Sequence, residues 1–289
     1  MTAGGEKSIG IRTGTNKVGI VTPPEATREA PGDPGARIQE RPISAAHASP
    51  SVTRRIKADL HLHTGEDPLD IVHHSASELL HRAHDMGFEA LAITLHDHVF
   101  AQPEVFKRAR ELGILLIPSA EMRIEGGDVV LLNITEAEGA ALHTFDDLAA
   151  LKKRRGESLL IFAPHPFYVF GGSIGGRQLK KHIACFDAVE YCHFHTAGWN
   201  LNTSACHLAA QHAKPLLATS DTHRLDFFGD HYSLIEIDGE LDARSLFQSI
   251  RAGRIRLVSP AWPWKRLVRY LFYIFFTHRI QCLIDKLSR

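Results

Sequence analysis

Short apolar runs alternate with helical stretches from Ile56 to Val258. The first run ends in Asp59-Leu60-His61-Leu62-His63-Thr64, and in a strand Asp59, His61 and His63 share one face while Leu60 and Leu62 share the other, so the two imidazoles can close on one ion with Asp59 supporting a ligand from behind. A polar loop, 64–74, leads to a helix. Ser75 with Glu78 makes a capping box, Leu79, Leu80, Ala83 and Met86 give an apolar stripe, and Gly87 stops it. Phe88–Leu95 is a continuous apolar run, the pattern of a parallel strand buried on both faces, and it empties into His96-Asp97-His98. The next helix, Pro103–Leu112, has proline at its start and Gly113 at its end.

The alternation continues. Ile114–Pro118 reads as a strand ending just before Glu121, with Val129–Ile134 paired to it. Thr144–Arg155 is a helix opened by Thr144 and Asp147 and closed by Gly156. Leu159–Ala163 is a strand delivering Pro164-His165-Pro166, followed by a glycine-rich loop, Phe170–Arg177. Ala188–Cys192 leads to His193, His195 and Asn200, then a helix over Leu201–His212. Pro215–Thr219 exits into Ser220-Asp221-Thr222-His223-Arg224. Tyr232–Ile237, a helix near Asp242–Ala252 and Ile255–Val258 complete the globule. Strands alternating with helices imply βαβ units and a mainly parallel sheet, an α/β fold. In an α/β barrel the loops after strands converge on one rim, and here His, Asp or Glu repeatedly follow a strand.

Composition sharpens this picture. Of 289 residues 19 are histidine, which favours metal or acid–base chemistry. Lys plus Arg equals Asp plus Glu at 33 each, so no global field recruits nucleic acid or an acidic surface. Cys185, Cys192, Cys206 and Cys282 form no C-x-x-C pair and read as reduced thiols; with no secretory signal in Met1–Gly10, a cytoplasmic protein is expected. Residues 1–52, rich in Gly, Pro, Ala, Thr and Ser without apolar periodicity, read as a disordered leader before a barrel over 53–260.

The order D-x-H-x-H-T, I-T-L-H-D-H, Ser-Ala-Glu121, A-P-His165-P and T-S-Asp221-T-His223 resembles the PHP family, named for polymerase and histidinol phosphatase. The resemblance implies a distorted seven-stranded (β/α) barrel with two or three divalent metals in its mouth. By that resemblance His61, His63, Glu121 and Asp221 hold the first ion, Asp70, His96 and His223 the second, and Glu121 with His165 a third or a bridge. Three positions depart from the family pattern. Leu95 stands where an aspartate is usual, Asp67 competes with Asp70 as the acid after H-x-H, and the histidine between the Glu and H-P motifs has only Asp128 and His143 as counterparts.

Imidazole and carboxylate donors that outnumber one ion's needs suit an open site for Zn, Mn or Fe rather than a closed structural zinc. The reading that follows is a metal-dependent phosphoesterase acting on a small phosphorylated metabolite or nucleotide. His98 or His223 would protonate the leaving alkoxide, and Arg177, Arg224 and the glycine-rich loop would capture phosphate. An amide or ester hydrolase using a similar site, or a non-catalytic metal-stabilised interaction module, are the alternatives. At 261–289, Leu267–Phe276 carries a single charge, Arg269, between basic flanks and after Trp262 and Trp264. That segment is too short to span a bilayer, which takes about 20 residues. It reads as a helix packed on the barrel or in a dimer interface, or as a peripheral membrane contact.

Overall fold

A computed structural model of the chain describes residues 53–168 and 172–272. The expected leader 1–52, residues 169–171 at the start of the glycine-rich loop and the tail after Phe272 lie outside the described residues. Strand β1 (Thr53–Leu62) turns Ile56, Ala58 and Leu60 to an apolar layer. Helix α1 (Ala76–Asp85) opens with the anticipated capping box of Ser75 and Glu78 and buries Ala76, Leu79, Leu80 and Ala83. The run expected as one strand divides into β2 (Ala90–Ile93) and β3 (Leu95–His96), because Thr94 between them donates its N–H to Leu62, 2.7 Å away. Helix α2 (Pro103–Glu111) and β4 (Leu115–Ile117) follow.

Strands β5 (Ser119–Ile124) and β6 (Gly127–Leu132) form an antiparallel hairpin, so β6 pairs with β5 and not with the 114–118 strand expected to be its partner. Its two turn residues, Glu125 and Gly126, have φ of 48° and 83°. Positive φ at both positions marks a tight turn whose twist matches the strands it joins. Then come α3 (Glu136–Ala140), α4 (Phe145–Arg155), β7 (Leu160–Ala163), α5 (Gly175–Lys181), β8 (Ala188–Tyr191), α6 (Asn202–Gln211) and β9 (Leu216–Ala218). Strand β10 (Tyr232–Asp238), α7 (Ala243–Arg251), β11 (Ile255–Val258) and α8 (Trp264–Phe272) close the described chain.

The α/β class holds, but the hydrogen bonding traces two sheets, in the orders β11-β10-β1-β2-β4 and β3-β5-β6-β7-β8-β9. Parallel pairs β1·β2, β2·β4, β3·β5, β7·β8 and β8·β9 mix with antiparallel β1·β10, β10·β11, β5·β6 and β6·β7. Between the sheets lies a layer that includes Ile56, Leu60, Val130, Leu160, Phe162, Leu217 and Ile235. Outside, α1 and α2 cover the five-stranded sheet and α4, α5 and α6 the other. The sheets also meet beside the end of β1, where His63 N–H donates to Thr222 and Asp221 N–H to His61 at 3.1 and 3.0 Å. That seam brings the S-D-T-H segment alongside the H-x-H segment, from opposite ends of the sequence.

The chain beyond β11 packs Trp262, Leu267 and Tyr270 against Phe194, Trp199 and Phe227. Trp264, Val268 and Phe272 stay exposed on the outer face of α8. Among the described residues no helix is long and apolar enough to cross a membrane.

Candidate metal centre

Glu121, near the start of β5 and 2% exposed, is where the strand ends converge. Its Oε2 lies 3.2 Å from His61 Nε2, 3.3 Å from His63 Nε2 and 3.5 Å from His96 Nε2, and its Oε1 lies 3.0 Å from His165 Nε2. Asp221 Oδ1 completes the group at 3.2 Å from His63 Nε2 and 3.5 Å from both His61 Nε2 and His223 Nδ1. His223 Nε2 in turn lies 3.2 Å from Asp70 Oδ2. His61 and His63 are fully buried, and the ring of His63 stacks between those of His96 and His223. Asp221 and His165 hold φ at 45° and 28°, a costly region for side chains other than glycine, as is common where the surroundings fix a functional group.

Second partners orient these donors. Asp67 accepts from Leu69, Asp70 and His96 N–H at 2.8, 3.1 and 2.9 Å and pairs with His96 Nδ1 at 2.8 Å, with His63 Nδ1 at 3.5 Å. Its oxygens are spent on orientation, whereas Asp70 faces the His223 ring. Glu190, in the middle of β8 and fully buried, reaches His61 Nδ1 at 3.4 Å and accepts from His165 N–H and the Thr219 hydroxyl. The support behind His61 therefore comes from Glu190. Asp59, anticipated in that role, accepts the Ser220 N–H at 3.1 Å and ties β1 to the segment after β9. An acid in the middle of an apolar strand was the available signal for Glu190.

The donor set fits divalent cations. Ligand atoms about 2.1 Å from a tetrahedral ion stand roughly 3.4 Å apart, close to the 3.2–3.5 Å gaps above. Triads His61–His63–Glu121, His63–His96–His223 and His61–His165–Asp221 each gather within 4.8 Å, and Asp221 Oδ1 is buried without a hydrogen-bond partner. Electrostatics point the same way. Burial would raise the Glu121 and Asp221 carboxyls, but the imidazoles, His61 foremost, hold both well below the ordinary range. Asp67 is likewise held low, against burial, by His63 and His96. Against burial, the hydrogen bond to Glu121 pushes His165 up to about 9. Such a cluster calls for positive charge, and cations displace protons from it.

Two expected results follow from this balance. Asp67→Asn should weaken metal affinity about 10–100-fold by freeing the His63 and His96 rings, with the fold retained, as measured by calorimetric titration of the metal-free protein. In chelator, the carboxylates contribute stability above their ordinary range and lose it in acid. His165, raised, contributes fully below its ordinary value near 6.5 and loses that contribution as pH rises through about 9. The metal-free protein should therefore melt at falling temperature from about pH 6.5 to about pH 9. A flat profile in thermal scans would contradict that sign.

The remaining expected site residues stand outside these three triads. His98 is exposed on the turn after β3, and Arg177 is exposed on the first turn of α5. Arg224 pairs with Asp226 through two 2.9 Å bonds. His143 is exposed, while Asp128, on β6, stands with Glu121 and His165 in a fourth triad. His193 is buried with both ring nitrogens unpartnered against Phe194 and Trp262, and burial lowers it to about 4. His195 contacts the Cys192 carbonyl at 3.3 Å. Beside the cluster a cavity of about 330 Å³ is lined by Leu69, Asp70, His96, Asp97, Glu121, Arg123 and Asp128. Arg123, its one guanidinium, had no sequence motif to announce it.

Comparison with known proteins places this geometry. A segment of 82 residues is 38% identical to a PolC-type DNA polymerase III of Caldanaerobacter subterraneus, covering 28% of this chain and 6% of the polymerase. A two-domain Bacteroides vulgatus protein containing a predicted PHP-like metal-dependent phosphoesterase superposes with a TM-score of 0.56 at 17% identity, over 76% of this chain and 70% of that one. A lesion-specific endonuclease of Pyrococcus furiosus superposes with a TM-score of 0.54 at 14% identity, over 71% and 58%. At these identities the solved structures show a shared fold. The PHP domain pattern itself matches residues 59–242, a span that holds every donor of the cluster, and the chain belongs to the PHP domain family.

Proposed function

We propose that the protein hydrolyses the phosphate ester of a small metabolite or nucleotide with the help of divalent cations held at the Glu121 cluster. The observation that carries this is the convergence on one carboxylate of imidazoles from the ends of β1, β3 and β7, with Asp221 and His223 beside them. His61, His63, Glu121 and Asp221 would hold one ion, and His96, His223 and Asp70 a second. Bound there, the ions supply Lewis acidity toward phosphoryl oxygens and water. Zn, Mn and Fe all suit this donor set.

The chain's own groups do the rest. Asp67 and Glu190 fix ring orientation from behind. The cavity, at the small end of ligand sites, suits a compact phosphorylated molecule. Balanced charge, 33 against 33, favours such a substrate over a long nucleic-acid strand, whose binding draws on excess Lys and Arg. His98, beside the cavity-lining Asp97, would hold the proton for the departing alkoxide, a role worth about 10²–10⁴-fold, since His223 is given to the second ion. The test is a panel of sugar, amino-alcohol and nucleoside phosphates with protein reconstituted with Mn, Zn or Fe. Turnover that stops with chelator and returns with metal is expected. Fully loaded protein that cleaves amides or carboxylic esters but no phosphoester would reject the reading.

A further inference from the structure

Arg123 stands in a place that the metal chemistry does not explain. It follows Glu121 by two residues on β5, so both side chains leave the same face of the strand. Directly across the hairpin its register partner is Asp128. The guanidinium engages both oxygens of that carboxylate, Nε to Oδ1 and Nη2 to Oδ2, the second at 3.2 Å. Asp128 is buried, and with Glu121 and His165 it forms a triad whose ligand atoms lie within 4.8 Å, compact enough for a further cation.

The surrounding backbone holds the pair in place. Arg123 N–H donates to Asp97 Oδ1 at 2.6 Å, and Asp97 N–H to the Glu121 carbonyl at 2.8 Å. Asp128 N–H donates to the Gly172 carbonyl at 2.6 Å. A Cβ at residue 172 would collide with both the Asp128 carboxylate and the Arg123 guanidinium, so glycine there lets the loop close over the pair.

We propose that the Arg123 guanidinium takes the place of a third cation on Asp128, so that the centre holds two ions and a fixed monovalent charge. The inference rests on the metal-centre reading above. An Arg fork takes the lone pair of each carboxylate oxygen that faces it, so an ion on Asp128 would have to compete with the guanidinium, whose charge repels a divalent cation a few ångströms away. The guanidinium stays charged at any working pH and cannot be chelated, so this part of the site keeps its charge when metal is scarce.

The test is ion stoichiometry. Metal-free wild type, Arg123→Met, Arg123→Gln and the double variant Arg123→Met/Asp128→Asn are titrated with Mn and Zn by calorimetry, and ions per chain are checked by elemental analysis after desalting. Arg123 is about half exposed, and Met and Gln retain most of its stem, so folding should survive. A thermal melt confirms it for each variant. The expected result is two ions per chain in wild type, three in both single variants, and two again in the double variant. Three ions in wild type, or two in folded Arg123→Met and Arg123→Gln alike, would overturn the inference and leave the metal centre standing. Wild type that binds none would overturn the metal-centre reading, and this inference with it.

Discussion

Glu121→Gln should leave a folded protein that has lost turnover by about 10³-fold or more, because several kcal/mol of charge stabilisation disappear with the metal. The change is isosteric, so packing around β5 is preserved. What changes is the donor chemistry. The native carboxylate faces the Nε2 atoms of His61, His63, His96 and His165 with two anionic oxygens. Glutamine offers one neutral oxygen and one NH₂ that cannot ligate, so the first ion would lose an anionic donor and the imidazoles around residue 121 their counter-charge. Elemental analysis should show fewer ions per chain, alongside the fall in kcat. Retention of full metal content and rate in this variant would show that Glu121 is not the shared anchor of the centre. Arg224→Ala is the useful contrast: its guanidinium pairs with Asp226, outside the residues that line the cavity, and a change there should touch the rate far less.

Most of the residues that gather at Glu121 were legible because their motifs sit at or just after the ends of strands, which can be read from apolar runs; Glu121 itself lies inside β5, beyond the expected strand end at Pro118. H-x-H was legible for a further reason, since a period of two puts both rings on one face. What escaped was tertiary. The β1·β2 pairing shifts register between Asp59 and Leu62, so alternation alone could not say whether Asp59 or another acid would back His61. The β5–β6 turn is Glu125-Gly126, without the Asn-Gly or Asp-Gly that announces a hairpin, and the missed hairpin concealed the Arg123–Asp128 pair. The antiparallel partners of β1, β6 and β10 come from chain-distant pairings that helical and strand periods do not encode. By contrast the caps at Ser75 and Thr144 rest on residues three apart, and local chemistry decided them as expected.

The fold and the site are coupled through Phe162, and truncating it should be among the most destabilising single changes in the chain. Its side chain is fully buried in β7, where it lies between Val130 on β6 and Ala188 on β8. It belongs to the layer that joins the two sheets, and its ring stands edge-on to His61 with centroids 6.4 Å apart. Phe162→Ala should cost about 3–5 kcal/mol, the transfer term plus the cavity left in a layer whose strands cannot close over it. Against a total of roughly 5–15 kcal/mol that is a large share. Urea unfolding should show a lower midpoint with an unchanged slope. Because the lost ring is a floor beneath His61, metal affinity should fall in the same variant, and the stabilisation gained on adding metal should shrink with it. Phe272→Ala, on the exposed face of α8, should stay within about 0.5 kcal/mol of the parent. If Phe162→Ala unfolds at the parental urea concentration, the inter-sheet layer is not what holds the cluster in register. If it destabilises the chain but leaves metal affinity untouched, His61 is held by Glu190 and its ligand partners alone, and the aromatic floor serves the fold without serving the site.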